Sequence, residues 1–240
     1  MKYGIQLYSM RDLAGRDLEA AIAEAATIGY KMIEFAGFFG RTPEQIVKAL
    51  NDNKIEVFGA HCGMAELVND FEGTVRFHKA IGNKNYIIPH HPMRNRAELD
   101  SFVKLVKKYR PMLEAEGMRL SYHNHSMEYQ PNEDGLLPNP ELFRLTDIGF
   151  EIDTFWAFNA GADPVALMEQ YGDRLTCIHI KDGFSGGRGM PLGMGEAPVA
   201  AVYAKAVELG IPMIVESETC DPTGPDEARI CFEYLKTLEK

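Results

Sequence analysis

The chain is poor in cysteine, in long apolar runs and in positive charge. Its four cysteines, Cys62, Cys177, Cys220 and Cys231, form no C-x-x-C pair. That argues against a disulfide framework or a structural zinc site. No run of about 18 or more apolar residues occurs, so no membrane-spanning helix is expected. Met1-Lys2-Tyr3-Gly4 leads straight into a strand pattern, with no signal peptide in front of it. Lys and Arg total 25 against 35 Asp and Glu, a net charge of −10. Such a charge repels phosphate backbones and anionic lipid, so neither nucleic acid nor a membrane surface is expected as a partner. What remains is ordinary globular composition: 240 residues, 45% hydrophobic and 25% charged, enough for a sizeable core. A soluble, acidic, cytoplasmic protein is the expectation.

Short apolar strands alternate with amphipathic helical segments. Gly29, Gly82, Gly117, Gly149, Gly172 and Gly210 each precede or open a strand, with Asn53 at the remaining junction, and they read as helix stop signals. Eight strands follow: Lys2–Ser9, Tyr30–Gly37, Ile55–Cys62, Asn85–His91, Met118–His125, Phe150–Thr154, Leu175–Asp182 and Pro212–Thr219. Helical stripes lie between them, for example Leu18, Ala21, Ile22, Ala25 and Ala26, or Leu99, Phe102, Val103 and Val106. A third runs through Val199, Val202, Tyr203, Ala206 and Val207, and Pro111 is expected to kink or split the helix that begins near Ala97. Strict alternation requires parallel strands with crossover helices. Eight such units predict a single α/β domain over residues 1–240, a (β/α)8 TIM barrel. A doubly wound sheet is the competitor, but the first strand–helix turn lacks a G-x-G-x-x-G.

Barrel enzymes carry their chemistry at the carboxyl ends of the strands. Six of the seven histidines fall there, namely His61, His90, His91, His123, His125 and His179, whereas His78 falls in a helix. Glu34, Glu128, Asp153, Asp182, Glu216 and Glu218 join them. Strand alternation turns Glu34, Ser121, His123, His125, Glu151, Asp153, Cys177, His179, Lys181, Glu216 and Glu218 inward. Ionisable groups inside a barrel are costly unless paired or bound to metal. A mixed Asp/His/Glu set without thiolate suits Mn²⁺, Co²⁺, Mg²⁺ or Zn²⁺ at an open site; a salt-bridge network is the alternative.

These residues resemble the xylose-isomerase-like barrels, in particular the sugar phosphate isomerase/epimerase family. The fingerprints are Gln6-Leu7-Tyr8-Ser9 with Arg11, Tyr122-His-Asn-His125 with Glu128, Glu151-Ile-Asp-Thr154 with Trp156, Ile178-His-Ile-Lys-Asp-Gly183 and Val215-Glu216. The resemblance implies a divalent metal held by Asp153, His179, Glu216 and a ligand from the fifth strand, either Glu128 reaching back or His123, with Glu128 favoured. It also implies a small carbohydrate substrate; a homo-oligomer stays open. The chemistry would be proton abstraction beside a carbonyl, giving an isomerase or epimerase acting on a keto-sugar, sugar phosphate or polyol. Glu216 or Glu128 would take the proton, and Lys181 or His123 would donate to the oxyanion, Lys181 having a structural ion pair as its other reading. Expected substrate contacts are Glu34, His61, His91, His125, Trp156 and Arg188, the last in a glycine-rich loop, 182–195, that reads as a lid or a cradle for phosphate or hydroxyls. The rival functions are a non-catalytic sugar sensor and an apurinic endonuclease of the endonuclease IV type.

Overall fold

Every expected strand is present, all but the sixth shorter than its apolar pattern, and the sixth shifted by one residue. The computed structural model describes residues 2–239; Met1 and Lys240, the ends of the expected domain, lie outside the described residues. The barrel strands are β1 (Gly4–Gln6), β2 (Met32–Phe35), β3 (Glu56–His61), β4 (Asn85–Ile88), β5 (Arg119–His123), β6 (Gly149–Asp153) and β7 (Leu175–Ile180). A small hairpin, β8 (Asp182–Phe184) and β9 (Arg188–Met190), precedes the last barrel strand, β10 (Met213–Val215). Neighbours pair in parallel from β1 through β7 to β10, and the Gly4↔Ile214 register closes the ring on β1. The fold is therefore a (β/α)8 barrel rather than an open doubly wound sheet. No helix among the described residues is long and apolar enough to cross a membrane.

Alternation explains the layering. Ile33, Phe35, Leu120, Tyr122, Phe150, Ile152, Ile178 and Ile180 point outward and are buried beneath the helices. The helix Leu18–Ile28 supplies Leu18, Ala21, Ile22 and Ala25 to that layer, and Arg96–Ala115 supplies Leu99, Phe102, Val103 and Val106. The helix Val199–Leu209 adds Val202, Tyr203 and Ala206, whereas Val207 turns to solvent. The terminal helix Gly224–Leu238 completes the ring and sets Phe232 edge-on against Tyr30 at 5.1 Å.

Three local expectations are corrected. The helix Arg96–Ala115 runs unbroken through Pro111. Both Pro111 and Lys107, whose carbonyl loses its helical partner, are exposed. Asn53 is the last helical residue of Pro43–Asn53, and Lys54 takes the left-handed turn at φ 52°. Gly149 is not a helix stop but the first residue of β6; a Cβ there would lie 2.7 Å from Ser121 Oγ and 2.9 Å from Thr176 Cγ2. Its value is the missing side chain, not its backbone freedom.

Candidate functional site

Four inward side chains at the carboxyl ends of neighbouring strands meet in one buried group. His123 ends β5, Asp153 ends β6, His179 lies on β7 and Glu216 follows β10, with one nitrogen or oxygen of each within 4.8 Å of the others. His123 Nε2 is 3.7 Å from Asp153 Oδ2, and His179 Nδ1 is 3.3 Å from Glu216 Oε2 and 4.0 Å from Asp153 Oδ2.

Backbone contacts aim these groups. His123 Nδ1 lies 3.4 Å from the Pro89 carbonyl, an acceptor only, so Nδ1 carries the proton and Nε2 presents its lone pair inward. Burial, and the neighbouring His179 and His61, hold the His123 pKa well below its ordinary value, so the ring is neutral. Asp153 Oδ1 caps the helix Thr154–Asn159 by accepting from the Trp156 N–H at 2.8 Å, which leaves Oδ2 pointing inward. Asn124 ties the ends of β5 and β6 together: its Oδ1 accepts from the Asp153 N–H at 3.1 Å and its Nδ2 donates to the Asp153 carbonyl at 3.3 Å. His123 Nε2 and Asp153 Oδ2 are buried and have no hydrogen-bond partner among the described residues. Asp153 Oδ2 has the Lys181 ammonium at 3.5 Å, whereas His123 Nε2 is left with a bare lone pair, which is costly unless something positive lies beside it.

Lys181 flanks the group. Its Nζ is 3.0 Å from Glu216 Oε2 and 3.5 Å from Asp153 Oδ2, also pairs with Glu218, and lies 4.7 Å from the Trp156 ring. Burial would neutralise this lysine, but Asp153, Glu216 and Glu218 raise its pKa above the ordinary value. Burial likewise opposes ionisation of Glu216, yet Lys181 and His179 hold its carboxyl well below the usual range. Asp153 is pushed upward by burial despite Lys181.

A second group engages the other nitrogen of His179. His179 Nε2 is 2.8 Å from Glu34 Oε1 and 3.1 Å from Glu151 Oε1, while His61 Nε2 is 3.1 Å and 2.7 Å from the same two oxygens. The separations distinguish the two groups. Ligand atoms about 2.1 Å from a tetrahedral ion stand about 3.4 Å apart. In the His123–Asp153–His179–Glu216 set, the His123–Asp153, His179–Asp153 and His179–Glu216 separations are 3.3 to 4.0 Å, and all four atoms lie within 4.8 Å of one another. The Glu34–His61–Glu151–His179 set, at 2.7 to 3.1 Å, is closed by protons. The donor chemistry and orphaned atoms of the first set fit a divalent cation.

Other expected site residues fall around this centre. Glu128 is not part of the four-residue group: its Oε1 accepts from Tyr122 Oη at 2.9 Å and its Oε2 from the His125 N–H at 2.8 Å. Of the two fifth-strand alternatives, His123 is the one brought in. Glu128 instead groups with His90 and His125 beside a cavity of about 700 Å³ between the loops after β4 and β5. His125 lies 5.0 Å from the His123 ring and 6.0 Å from the Trp156 ring, and both His125 Nδ1 and Trp156 Nε1 are buried without partners among the described residues. His91 turns outward and stacks on Phe102 at 4.3 Å. Arg188 lies exposed on β9. Glu34 and His61, expected to touch substrate, pair with each other, with Glu34 also meeting His179 and His61 also meeting Glu151.

The loop beyond β7 is a hairpin rather than an open lid. Asp182 fixes its base by accepting from the N–H groups of Gly183 (2.8 Å), Gly193 (2.9 Å), Gly195 (3.0 Å) and Ala197 (3.1 Å). Asp182 is therefore not the partner of Lys181. Alternation had turned Glu151 inward and Gln6 stood in a quoted motif, yet neither had been given a role; both belong to the second group. His78 sits apart, buried in the helix Phe71–Ala80. Asn83 Oδ1 accepts from the Asn85 N–H, so the Asn83 amide donates to His78 Nδ1 at 2.8 Å, and His78 Nε2 faces Cys62 Sγ at 3.7 Å.

A family model described as "Xylose isomerase-like TIM barrel" matches residues 22–238. An inosose dehydratase of Geobacillus kaustophilus is 25% identical over 194 residues, covering 68% of this chain and 61% of that protein. The chain thus spans less than two thirds of that relative's length. A solved sugar phosphate isomerase/epimerase from Parabacteroides distasonis superposes with a TM-score of 0.85 at 21% identity, over 98% of this chain and 95% of that one. A probable 3-DHS dehydratase of Bacillus anthracis gives 0.79 at 14% identity, over 98% and 99%. At those identities the two structures share the fold.

Proposed function

The chain belongs to the xylose isomerase-like TIM-barrel family, and from that premise we propose that it is a divalent-metal-dependent sugar isomerase or epimerase. In this reading it removes a proton next to the carbonyl of a keto-sugar or keto-polyol. The observation that carries the reading is the buried His123 Nε2, which has no hydrogen-bond partner among the described residues, facing Asp153 Oδ2, with His179 Nδ1 and Glu216 Oε2 completing the group. These four residues would hold Mn²⁺, Co²⁺, Mg²⁺ or Zn²⁺, which supplies Lewis acidity toward a substrate carbonyl.

The side chains account for the remaining steps. Glu216, kept ionised by Lys181 and His179 and 5% exposed, is the base that accepts the substrate proton. Lys181 Nζ, charged and buried, donates to the oxygen on which negative charge develops. Trp156 Nε1 and His125 Nδ1 offer hydrogen-bonding positions to substrate hydroxyls, and the Trp156 face bounds the site. Returning the proton to the opposite face gives an epimer; returning it to the adjacent carbon gives an aldose–ketose isomer. The inosose dehydratase relative favours a second outcome of the same first step, loss of a hydroxyl β to the carbonyl.

The test is solvent-deuterium incorporation into a panel of keto-sugars and ketocyclitols, with protein loaded with each of the four metals. Exchange at the carbon next to the carbonyl, lost in Glu216→Gln, is expected. Absence of exchange across the panel would overturn the enzyme reading in favour of a binding protein. An unsaturated ketone absorbing in the near ultraviolet identifies the dehydratase outcome.

A further inference from the structure

His179 is the one member of the four-residue group that also belongs to the second group, and it uses a different nitrogen for each. At its Nε2 the nearest atoms are two carboxylate oxygens, Glu34 Oε1 at 2.8 Å and Glu151 Oε1 at 3.1 Å. Glu34 carries the shorter contact, and its own orientation is fixed from behind. Gln6 Nε2 donates to Glu34 Oε1 at 2.7 Å, and the Gln6 amide cannot flip, because its Oε1 accepts the Tyr8 N–H at 3.1 Å. Glu151 is held in turn by His61 on Oε1 at 2.7 Å and by the Cys177 thiol on Oε2 at 2.9 Å. The His61 ring stacks on His179 at 5.3 Å with 18° between planes, which limits how far the imidazole can rotate.

The space for Glu34 is also reserved by the backbone. Glu34 pairs in register with Gly59, next to a shift between Ile33 and Glu34. A Cβ at Gly59 would stand 3.1 Å from Glu34 Oε2 and 2.8 Å from Ile87 Cδ1. Only glycine admits the carboxylate without displacing its neighbours.

Resting on the metal reading above, we propose that Glu34 is the positioning residue of the centre. By accepting the Nε2 proton of His179 it fixes the ring with Nδ1 toward His123, Asp153 and Glu216, and with Glu151 it sets how tightly a divalent cation is held. A carboxylate behind a ligating histidine both selects the tautomer and raises the basicity of the other nitrogen, an effect of about 10- to 100-fold in metal affinity. Gln6, His61 and Cys177 act one step further out, by keeping the two carboxylates where they are.

The experiment is a titration of full-length protein with Mn²⁺ alone, free ion being read by electron paramagnetic resonance, for wild type and Glu34→Gln. A folded Glu34→Gln that binds about 10-fold or more weakly supports the proposal, because Gln keeps the shape of the side chain and loses the acceptor strength. A folded Glu34→Gln with wild-type affinity overturns it. Should the variant not fold, nitrogen NMR of the wild-type Zn²⁺ complex decides. A slowly exchanging Nε2–H on His179 with Nδ1 unprotonated supports the assignment, and a proton on Nδ1 overturns it. If wild type itself takes up no Mn²⁺, the metal reading falls and this inference falls with it, a result distinct from equal binding by both proteins.

Discussion

The histidine outside the strand ends gives a measurable stability signature. His78 is 1% exposed, accepts from Asn83 at Nδ1 and faces Cys62 Sγ at 3.7 Å, with a Glu66 carboxylate oxygen within 4.8 Å. Burial alone lowers its pKa from 6.5 to about 4. As pH falls through about 6.5, the unfolded chain takes up a proton that the folded chain refuses until about pH 4. Stability conferred by the neutral ring is thus complete above pH 7 and is lost progressively toward pH 4. Integrating the two titrations between about pH 8 and pH 5 gives a loss of about 2 kcal/mol, approaching about 3 kcal/mol at lower pH. Urea unfolding followed by Trp156 fluorescence, for wild type and His78→Gln, isolates this contribution. Glutamine does not titrate, and its constant cost cancels when each protein is compared with itself at the two pH values. The wild-type loss should exceed that of the variant by about 2 kcal/mol. Equal losses in the two proteins would refute the assignment of His78 as a neutral core residue.

Other consequences follow from particular contacts. Gly149→Ala should cost about 1 to 3 kcal/mol, read as a lowered urea midpoint, because the added methyl would lie 2.7 Å from Ser121 Oγ. An unchanged midpoint would show that β6 has room to spare. Asn124→Ala strands the buried N–H and carbonyl of Asp153, and should cost about 2 kcal/mol or more and weaken Mn²⁺ retention; retention equal to wild type would separate Asn124 from the centre. Chelation of the purified protein should abolish deuterium exchange and a divalent ion should restore it. Full exchange after exhaustive chelation would exclude a metal role for the His123–Asp153–His179–Glu216 group.

Much of this arrangement follows from a period of two. Alternation along β6 and β7 suffices to turn Asp153, His179 and Lys181 into the barrel, since each flanking Ile or Phe must face a helix. The rule stops where the strand stops. Glu128 lies five residues beyond His123, within a 3-10 turn over Ser126–Tyr129 that folds its carboxylate back onto the His125 N–H. No periodicity in the sequence reports that turn. Gly149 and Gly29 look alike as letters, yet Gly29 has φ 126° at a helix end, and Gly149 is needed for the absence of a side chain. Pro111 does not split its helix, and its exposure, which decides whether water can reach the stranded carbonyl, is invisible in sequence. Parity turns Glu34 inward, but that its carboxylate meets His61 and His179 is a matter of distances, not of parity.

Asp182 has a consequence for how this barrel could acquire new substrates. Four backbone N–H groups from residues 183 to 197 converge on its one carboxylate, so the base of the hairpin is held by the side chain of its own first residue, just past the end of β7. The tip, Phe184 through Gly186 with Arg188, lies exposed and contributes none of those bonds. Anchorage and display are thus divided between different residues. The tip can be lengthened, recharged or randomised as a unit while the strand beneath continues to present His179 and Lys181 unchanged. The hairpin is a place where selectivity can be rewritten without reopening the fold.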